Sequence, residues 1–386
     1  MNILKLFVAF VVTVSLVSAT VGSVLADTPE AIDVQALSPG TWQRTGNMIL
    51  PRSKHTATLL PDGTVLVAGG LTGSLGNIVA TASAEIYNPN TTSWSLSNSM
   101  SAPRSRFTAT LLLNGTVLVA GGSNNGFATA TAELYDFATG VWSRTGNLNI
   151  PRLYHTATLL SDGRVLVTGG QSAGDGNDNF VEKTAEIYDP GTGTWTLLDS
   201  MSRARYGHTA TLLPNGAVLI VGGAGPRGDL VYTVRAEMFD PHSGLWKNVD
   251  SITTPRGFHT AVLLNNGNVL VAGGLTLPAN LPNRTTTAEL FQMAYNKWVS
   301  TGSMAVPRSA GAYGGALLSD GRFFIAGGRT DTAEIYNPNT GSWELLTNMA
   351  VSRSFHTVTL LTNGTMLVTG GENANGFIAT AEIYTP

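Results

Sequence analysis

The chain has no cysteine and little charge, with Asp, Glu, Lys and Arg making up 12% of its 386 residues. Without thiols there can be no disulfide, no thiolate metal ligand, no cysteine nucleophile and no lipid anchor on an N-terminal cysteine. The few charges nearly cancel, to a formal net of −3, so no basic footprint points to nucleic acid. An apolar content of 43% beside so few charges is the reverse of a disordered composition. Long hydrophobic runs are scarce too. One stands at the N-terminus, where Lys5 precedes an apolar core from Leu6 to Val17 and "VLA" precedes Asp27. Positive residue, apolar core and small residues in that order read as a signal peptide over 1–26, cut after Ala26. The alternative is a retained anchor, because the uncharged stretch from Leu6 to Ala26 approaches spanning length. Cleavage would leave an exported chain with no membrane span, a linker over 27–40 and a folded region over 41–386.

Glycine, in contrast, is abundant at 44 residues, and it is periodic. The stretch "PRLYHTATLLSDGRVLVTGG" (151–170) recurs with small changes at 51–70, 103–122, 204–223, 255–274 and 352–371, and in stretched form at 307–328. Seven copies near a 50-residue spacing mark an architecture of stacked units. Each copy holds an alternating run such as "HTATLL", then Asp-Gly or Asn-Gly, then a β-branched run such as "VLVAGG". The dipeptide between two strand-like runs is a hairpin signal, and a type I′ turn is expected there. A variable loop follows. A third strand then reads "AEIY" (84–87) or "AEMF" (236–239), and a fourth is headed by tryptophan. Four antiparallel strands repeated radially make a β-propeller blade, so the expected fold is all-β, a seven-bladed propeller. All seven tryptophans share one repeat position, but Trp42 precedes the first hairpin and the last repeat stops at "AEIYTP". The strand at 41–48 should therefore complete the last blade and close the ring, removing the exposed sheet edges.

Arg at the head of strand one, Gly-Gly after strand two, an aromatic in strand three and Trp in strand four resemble the kelch repeat. The resemblance covers residues 41–386. The segment "LYHTATLLSDGRV" is similar to the copper-binding segment of galactose oxidase-like enzymes, whose propellers are also kelch-type. That resemblance would make Tyr154 and His155 copper ligands. Such enzymes also use a cysteine cross-linked to tyrosine, and this chain has none, so no metal and no cofactor is expected.

Five histidines (His55, His155, His208, His259 and His356) share one repeat position, with Phe107 there in the second copy. Repetition around a ring points to packing between neighbours, and a hydrogen bond to nearby loop backbone is expected. Seven arginines, Arg52 to Arg353, and seven glutamates, Glu85 to Glu382, also recur once per blade. Equal numbers of opposite charge at fixed places suggest buried ion pairs. Catalysis needs an acid and a base in different environments, which equivalent copies do not supply.

Function must then lie where the repeat breaks, in the loops between strands two and three. These share one face with the segments that carry Arg and His. The most distinctive are the third and fourth. Asp178, Phe180, Arg227 and Tyr232 are the candidate binding residues, with Tyr154 and Tyr206 beneath them. Aromatic faces with charged neighbours suit a peptide or a sugar. Asp175, Asn177 and Asn179 have half the spacing of a calcium loop, but Phe180 replaces its turn glycine, so a solvated polar loop is expected. The reading is an exported, monomeric, non-enzymatic module that binds a protein or a glycan. The alternative is a secreted carbohydrate-active or metal-dependent oxidase-like enzyme using the axial pocket.

Overall fold

The computed structural model describes residues 40–74, 76–174, 180–226, 232–276, 283–309 and 314–386. In the compact unit Pro39–Pro386 the regular structure described is almost wholly β-strand, most of it in seven four-stranded antiparallel sheets. In blade 1 the strands are Thr56–Leu59, Val65–Ala68, Ala84–Asn88 and Ser93–Ser97, hydrogen-bonded in that order. Blades 2 to 6 repeat the arrangement along the chain.

Blade 7 is made from both ends. Its first three strands are Thr357–Leu360, Met366–Thr369 and Ala381–Thr385, and its fourth is Thr41–Arg44, with Trp42 opposite Tyr384. The ring closes as the sequence implies. Trp42 donates its indole N–H to the Thr347 carbonyl at 2.8 Å, and Trp94 of blade 1 donates likewise to Gly46 at 2.7 Å. Each indole thereby ties its blade to the segment arriving from the blade before.

First strands line the axis and second strands are wholly buried, as in Val65–Ala68 and Val165–Thr168. Apolar clusters lie between neighbouring blades. One joins Leu66 and Ala68 of blade 1 to Val117, Val119 and Tyr135 of blade 2. The core is thus divided into seams, each belonging to two blades.

The Asp/Asn-Gly hairpins depart from the expected turn. Gly63 has a φ of 84° while Asp62 is not left-handed, so a type I′ turn is ruled out. Gly63 N–H bonds the Leu60 carbonyl and Leu60 N–H bonds Thr64, giving a three-residue loop with glycine at the bulge. Asp62 serves through its side chain, which accepts the Thr64 N–H at 2.9 Å. A left-handed residue is needed once here, and glycine supplies it.

Candidate functional site

The recurrent charges are structural. All seven Arg–Glu pairs form within blades, at 2.6–3.0 Å, with side chains at most 3% exposed. Arg152 shows the pattern. One guanidinium nitrogen donates to the Gly169 and Thr184 carbonyls, the other to Thr184 Oγ1 and Glu186 Oε1. Glu186 also accepts the backbone N–H groups of Asn149 and Ile150, on the segment entering the blade. Desolvation pulls the Arg152 pKa down and the Glu186 charge pushes it back. The pair therefore clamps a blade's entry to its third strand.

The histidines staple neighbouring blades. His155 Nε2 lies 3.1 Å from Thr108 Oγ1 of blade 2, and its ring packs on Gly121, where a Cβ would come 2.8 Å from Cε1. His208, His259 and His55 meet the corresponding Thr156, Thr209 and Thr357. The partner is thus a hydroxyl on the preceding blade, where loop backbone was expected. Phe107 fits the same socket against Gly69. Burial and the Arg152 charge hold His155 neutral, with its pKa pushed down to about 3.

Tyr154 and His155, adjacent in sequence, go to different places. His155 is buried in a seam, while the Tyr154 hydroxyl accepts from Arg106 Nε at 2.5 Å. Their donor atoms serve separate partners, which does not fit a shared copper ion. No three His, Asp or Glu side chains converge as metal ligands among the described residues.

The residue before each repeat His or Phe is what lines the axial mouth. Lys54, Arg106, Tyr154, Gly207, Phe258 and Phe355 all have left-handed φ between 51° and 59°. Their backbones form a chain of hydrogen bonds around the axis: Phe258 to Gly207, Gly207 to Tyr154, Tyr154 to Arg106, Arg106 to Lys54 and Lys54 to Phe355, at 2.7–3.2 Å. A fixed backbone therefore presents side chains that vary around the ring.

With Tyr206, the residue before Gly207, those side chains form two groups. Tyr154, Tyr206 and Phe258 cluster with ring centroids 5.5–6.1 Å apart, and the Arg106 guanidinium lies 5.3 Å from the Tyr154 ring. Lys54 Nζ sits 4.4 Å from the Phe355 ring and 3.4 Å from Glu372 Oε2. The structure thus brings Tyr154 and Tyr206 together, as the sequence suggests. It adds Arg106, Phe258, Lys54 and Phe355, all visible in the sequence at a variable position inside a constant motif.

The loop residues are more dispersed. Phe180 is 52% exposed, and its carbonyl accepts the Ser172 N–H. Tyr232 is buried, its ring against Gly257 of blade 5. Asp178 and Arg227 lie outside the described residues, as do Asp175, Asn177 and Asn179. Loops of adjacent blades support one another. Asn125 of blade 2 accepts the Ala80 N–H of blade 1, and Phe127 of blade 2 bridges to Gly174 of blade 3.

Comparison with known proteins agrees with this geometry. The family described as the KLHDC2/KLHL20/DRC7 Kelch-repeats domain matches residues 154–371, and the Kelch motif matches 104–149. The chain belongs to the kelch-repeat family. It is 25% identical to alpha-scruin of Limulus polyphemus over 217 residues, 52% of this chain and 23% of that protein. An F-box/kelch-repeat protein of Arabidopsis thaliana is 30% identical over 139 residues, 34% of this chain and 33% of that one. Kelch-like protein 15 of Mus musculus is 24% identical over 212 residues, 49% of this chain and 34% of that one. The matches span about a third or less of these relatives' lengths. Among solved structures, a fungal alcohol oxidase of the AA5 family, in complex with copper, superposes with a TM-score of 0.72. It has 21% identity, over 90% of this chain and 77% of the oxidase. YjhT superposes with a TM-score of 0.58 and 16% identity, over 78% of this chain and 99% of YjhT. These two likenesses show the fold.

Proposed function

We propose that the chain is an exported, non-enzymatic binding module that holds a protein partner on its variable-loop face. The observation that carries this reading is the axial mouth. A rigid backbone ring displays Arg106, Lys54 and three aromatic rings, with Tyr206 beside them, all partly exposed and with loops of unequal length around them. Aromatic and arginine side chains on a fixed scaffold are what protein interfaces use as anchors. The kelch relatives support the reading as an interaction platform, while fold alone would not. Export rests on the N-terminal sequence pattern. Asp178, Phe180, Arg227 and Tyr232 remain candidates for the rim.

The test compares three forms of the purified chain in affinity capture from the producing cell's surface and medium, followed by binding measurements with whatever partner is captured. A mouth set combines Arg106→Ala, Tyr206→Ala and Phe258→Ala. A control set alters Asp62, Asn114, Asp162 and Asn215 on the opposite face. Binding should vanish in the mouth set and survive in the control. Loss in the control set alone would place binding on the other face and defeat the proposal. A glycan array run in parallel would defeat the protein reading if a glycan bound at the mouth and no protein did.

A further inference from the structure

Four of the seven hairpins on the face opposite the mouth carry Asn-Gly, at Asn114, Asn215, Asn266 and Asn363. The other three carry Asp-Gly, at Asp62, Asp162 and Asp320. All seven side chains make one contact in common, in which Oδ1 accepts the backbone N–H two residues on. The distance is 3.1 Å at each asparagine and 2.9–3.0 Å at the aspartates. A charged acceptor gives the shorter bond. The turn therefore accepts amide and acid alike, and holds the acid slightly more closely.

Asparagine before glycine is also a chemically labile pair, because glycine puts no side chain in the way of ring closure. The glycine nitrogen gives up its proton and attacks the asparagine Cγ. The carboxamide nitrogen leaves as ammonia, taking that proton, and a succinimide closes. Water then opens the ring at either carbonyl, giving aspartate or isoaspartate. In this fold both reacting groups are engaged. The glycine N–H groups donate to leucine carbonyls at 2.9–3.0 Å: Gly115 to Leu112, Gly216 to Leu213, Gly267 to Leu264 and Gly364 to Leu361. The carboxamide must turn its carbon onto that nitrogen, away from the N–H that holds its oxygen. Two sites have a further tie, since Thr116 Oγ1 and Thr365 Oγ1 donate to Asn114 and Asn363 at 2.8 Å. The surroundings differ as well. A Cβ on Gly115 would come 3.3 Å from the Phe137 ring, and Gly216 is buried beside His242. A Cβ on Gly267 or Gly364 would meet nothing within 4 Å. Of the four asparagines, Asn266 alone combines the single tie with open surroundings.

We propose that Asn114, Asn215, Asn266 and Asn363 are sites of spontaneous deamidation, gated by the hydrogen bonds of their own hairpins, and that Asn266 reacts first. All four are exposed to the water that the second step consumes. Aspartate in these places is silent for the fold, because Asp62, Asp162 and Asp320 already make the same turn. Isoaspartate is not silent, because it adds a main-chain carbon and disturbs the strand register. Complete conversion to acid would take the formal net charge of −3 four units lower, all of it on the face away from the mouth.

The experiment incubates the purified full chain at mildly alkaline pH, folded and in concentrated urea. Mass spectrometry follows each of the four peptides, and an isoaspartyl methyltransferase reports isoaspartate. Each hydrogen bond that must break first slows the step by about fivefold. In urea the four sites should react alike. In the folded chain Asn266 should lag its own rate in urea by about thirtyfold, for two bonds, and Asn114 and Asn363 by about fivefold more. Thr116→Ala and Thr365→Ala, each measured against the same variant in urea, should return that factor at its own site alone. A variant combining Asn114→Asp, Asn215→Asp, Asn266→Asp and Asn363→Asp should melt as wild type does. Folded rates equal to those in urea would overturn the proposal. So would Asn114 or Asn363 reacting first, threonine variants without effect, or a lower melting temperature in the four-aspartate variant.

Discussion

His155 and His356 occupy the same place in their blades but meet different neighbours. His155 has Thr108 Oγ1 within reach, whereas His356 follows a blade with Gly314 at that position, and neither of its ring nitrogens finds a partner. His356→Phe should therefore keep or raise stability, because an unsatisfied buried polar group is replaced by the residue that fills this socket in blade 2. His155→Phe should cost about 1 kcal/mol, since Thr108 loses its hydrogen bond. Denaturant titrations of the two variants check the contrast, and equal effects would mean that the threonine is irrelevant. The same groups fix a pH dependence. All five repeat histidines have folded pKa values below the ordinary 6.5, led by desolvation, and His155 and His356 lie at about 3. Below pH 6.5 the unfolded chain takes up protons that the folded chain refuses. Stability is therefore full above pH 6.5 and is lost as pH falls toward 3, by up to about 1.4 kcal/mol per pH unit for each histidine. Melting temperature followed from pH 7 to 4 should fall steadily, and less steeply in a chain with His155 and His356 both replaced by Phe. The sequence shows that these histidines are structural, because they repeat. The threonine partners of four of them sit one blade away in space and about fifty residues away in sequence, or 302 for His55 and Thr357 across the closure, a distance that only register and packing define.

Each blade is held by one ion pair that does two jobs: its arginine, on the entry segment, also bonds the glycine carbonyl after strand two, and its glutamate, on strand three, receives the chain from the blade before. Glu186→Gln keeps the shape but leaves Arg152 as a buried charge without its counter-charge, which should cost about 3–5 kcal/mol. Replacing both partners with apolar residues of similar volume should cost less. Chemical denaturation of the single and double variants separates the two outcomes. A single variant as stable as wild type would show that the backbone donors alone suffice. The pairing itself could be expected from equal numbers of Arg and Glu at fixed repeat positions. The turn could not. Asp62-Gly63 is equally compatible with a type I′ hairpin and with a three-residue loop, and what decides is the register of Leu59 with Val65. The mouth was half legible. Tyr154 and Tyr206 stand out as aromatics, but Arg106 and Phe258 join them only because left-handed backbone turns that position inward on every described blade. Tyr232 illustrates the limit: an aromatic in a variable loop suggests exposure, yet its ring covers Gly257, where any Cβ would come within 2.8 Å of it.

At the scale of the whole molecule, seven seams carry the core and none can be closed alone, so the ring depends on the pairing of its two ends. Thr41–Arg44 completes blade 7, where Trp42 lies 5.2 Å from the Tyr384 ring and 6.0 Å from Phe324. The next four residues then cross to blade 1: Thr45 and Met48 bond the Ala381 and Ala379 carbonyls of blade 7, while Gly46 bonds Thr92 of blade 1. A chain starting at Ile49 would lose all of these contacts. Its last sheet would end on an unpaired third strand, and the seam between blades 7 and 1 would lose Met48, which is 3% exposed. Because each blade of a repeat array is stabilised chiefly by its neighbours, the loss should spread beyond blade 7. The truncated chain is expected to melt at lower temperature and over a broader range, and to self-associate through the open edge. Trp42→Phe separates pairing from the indole bond. It keeps the strand and an aromatic ring, removes only the hydrogen bond to Thr347, and should cost about 1 kcal/mol with sharp unfolding retained. Calorimetry and light scattering on the three forms decide the matter. If the chain starting at Ile49 melts as sharply and as high as the full one and stays monodisperse, the end strand does not hold the ring, and blade 7 must be closed by its seams alone.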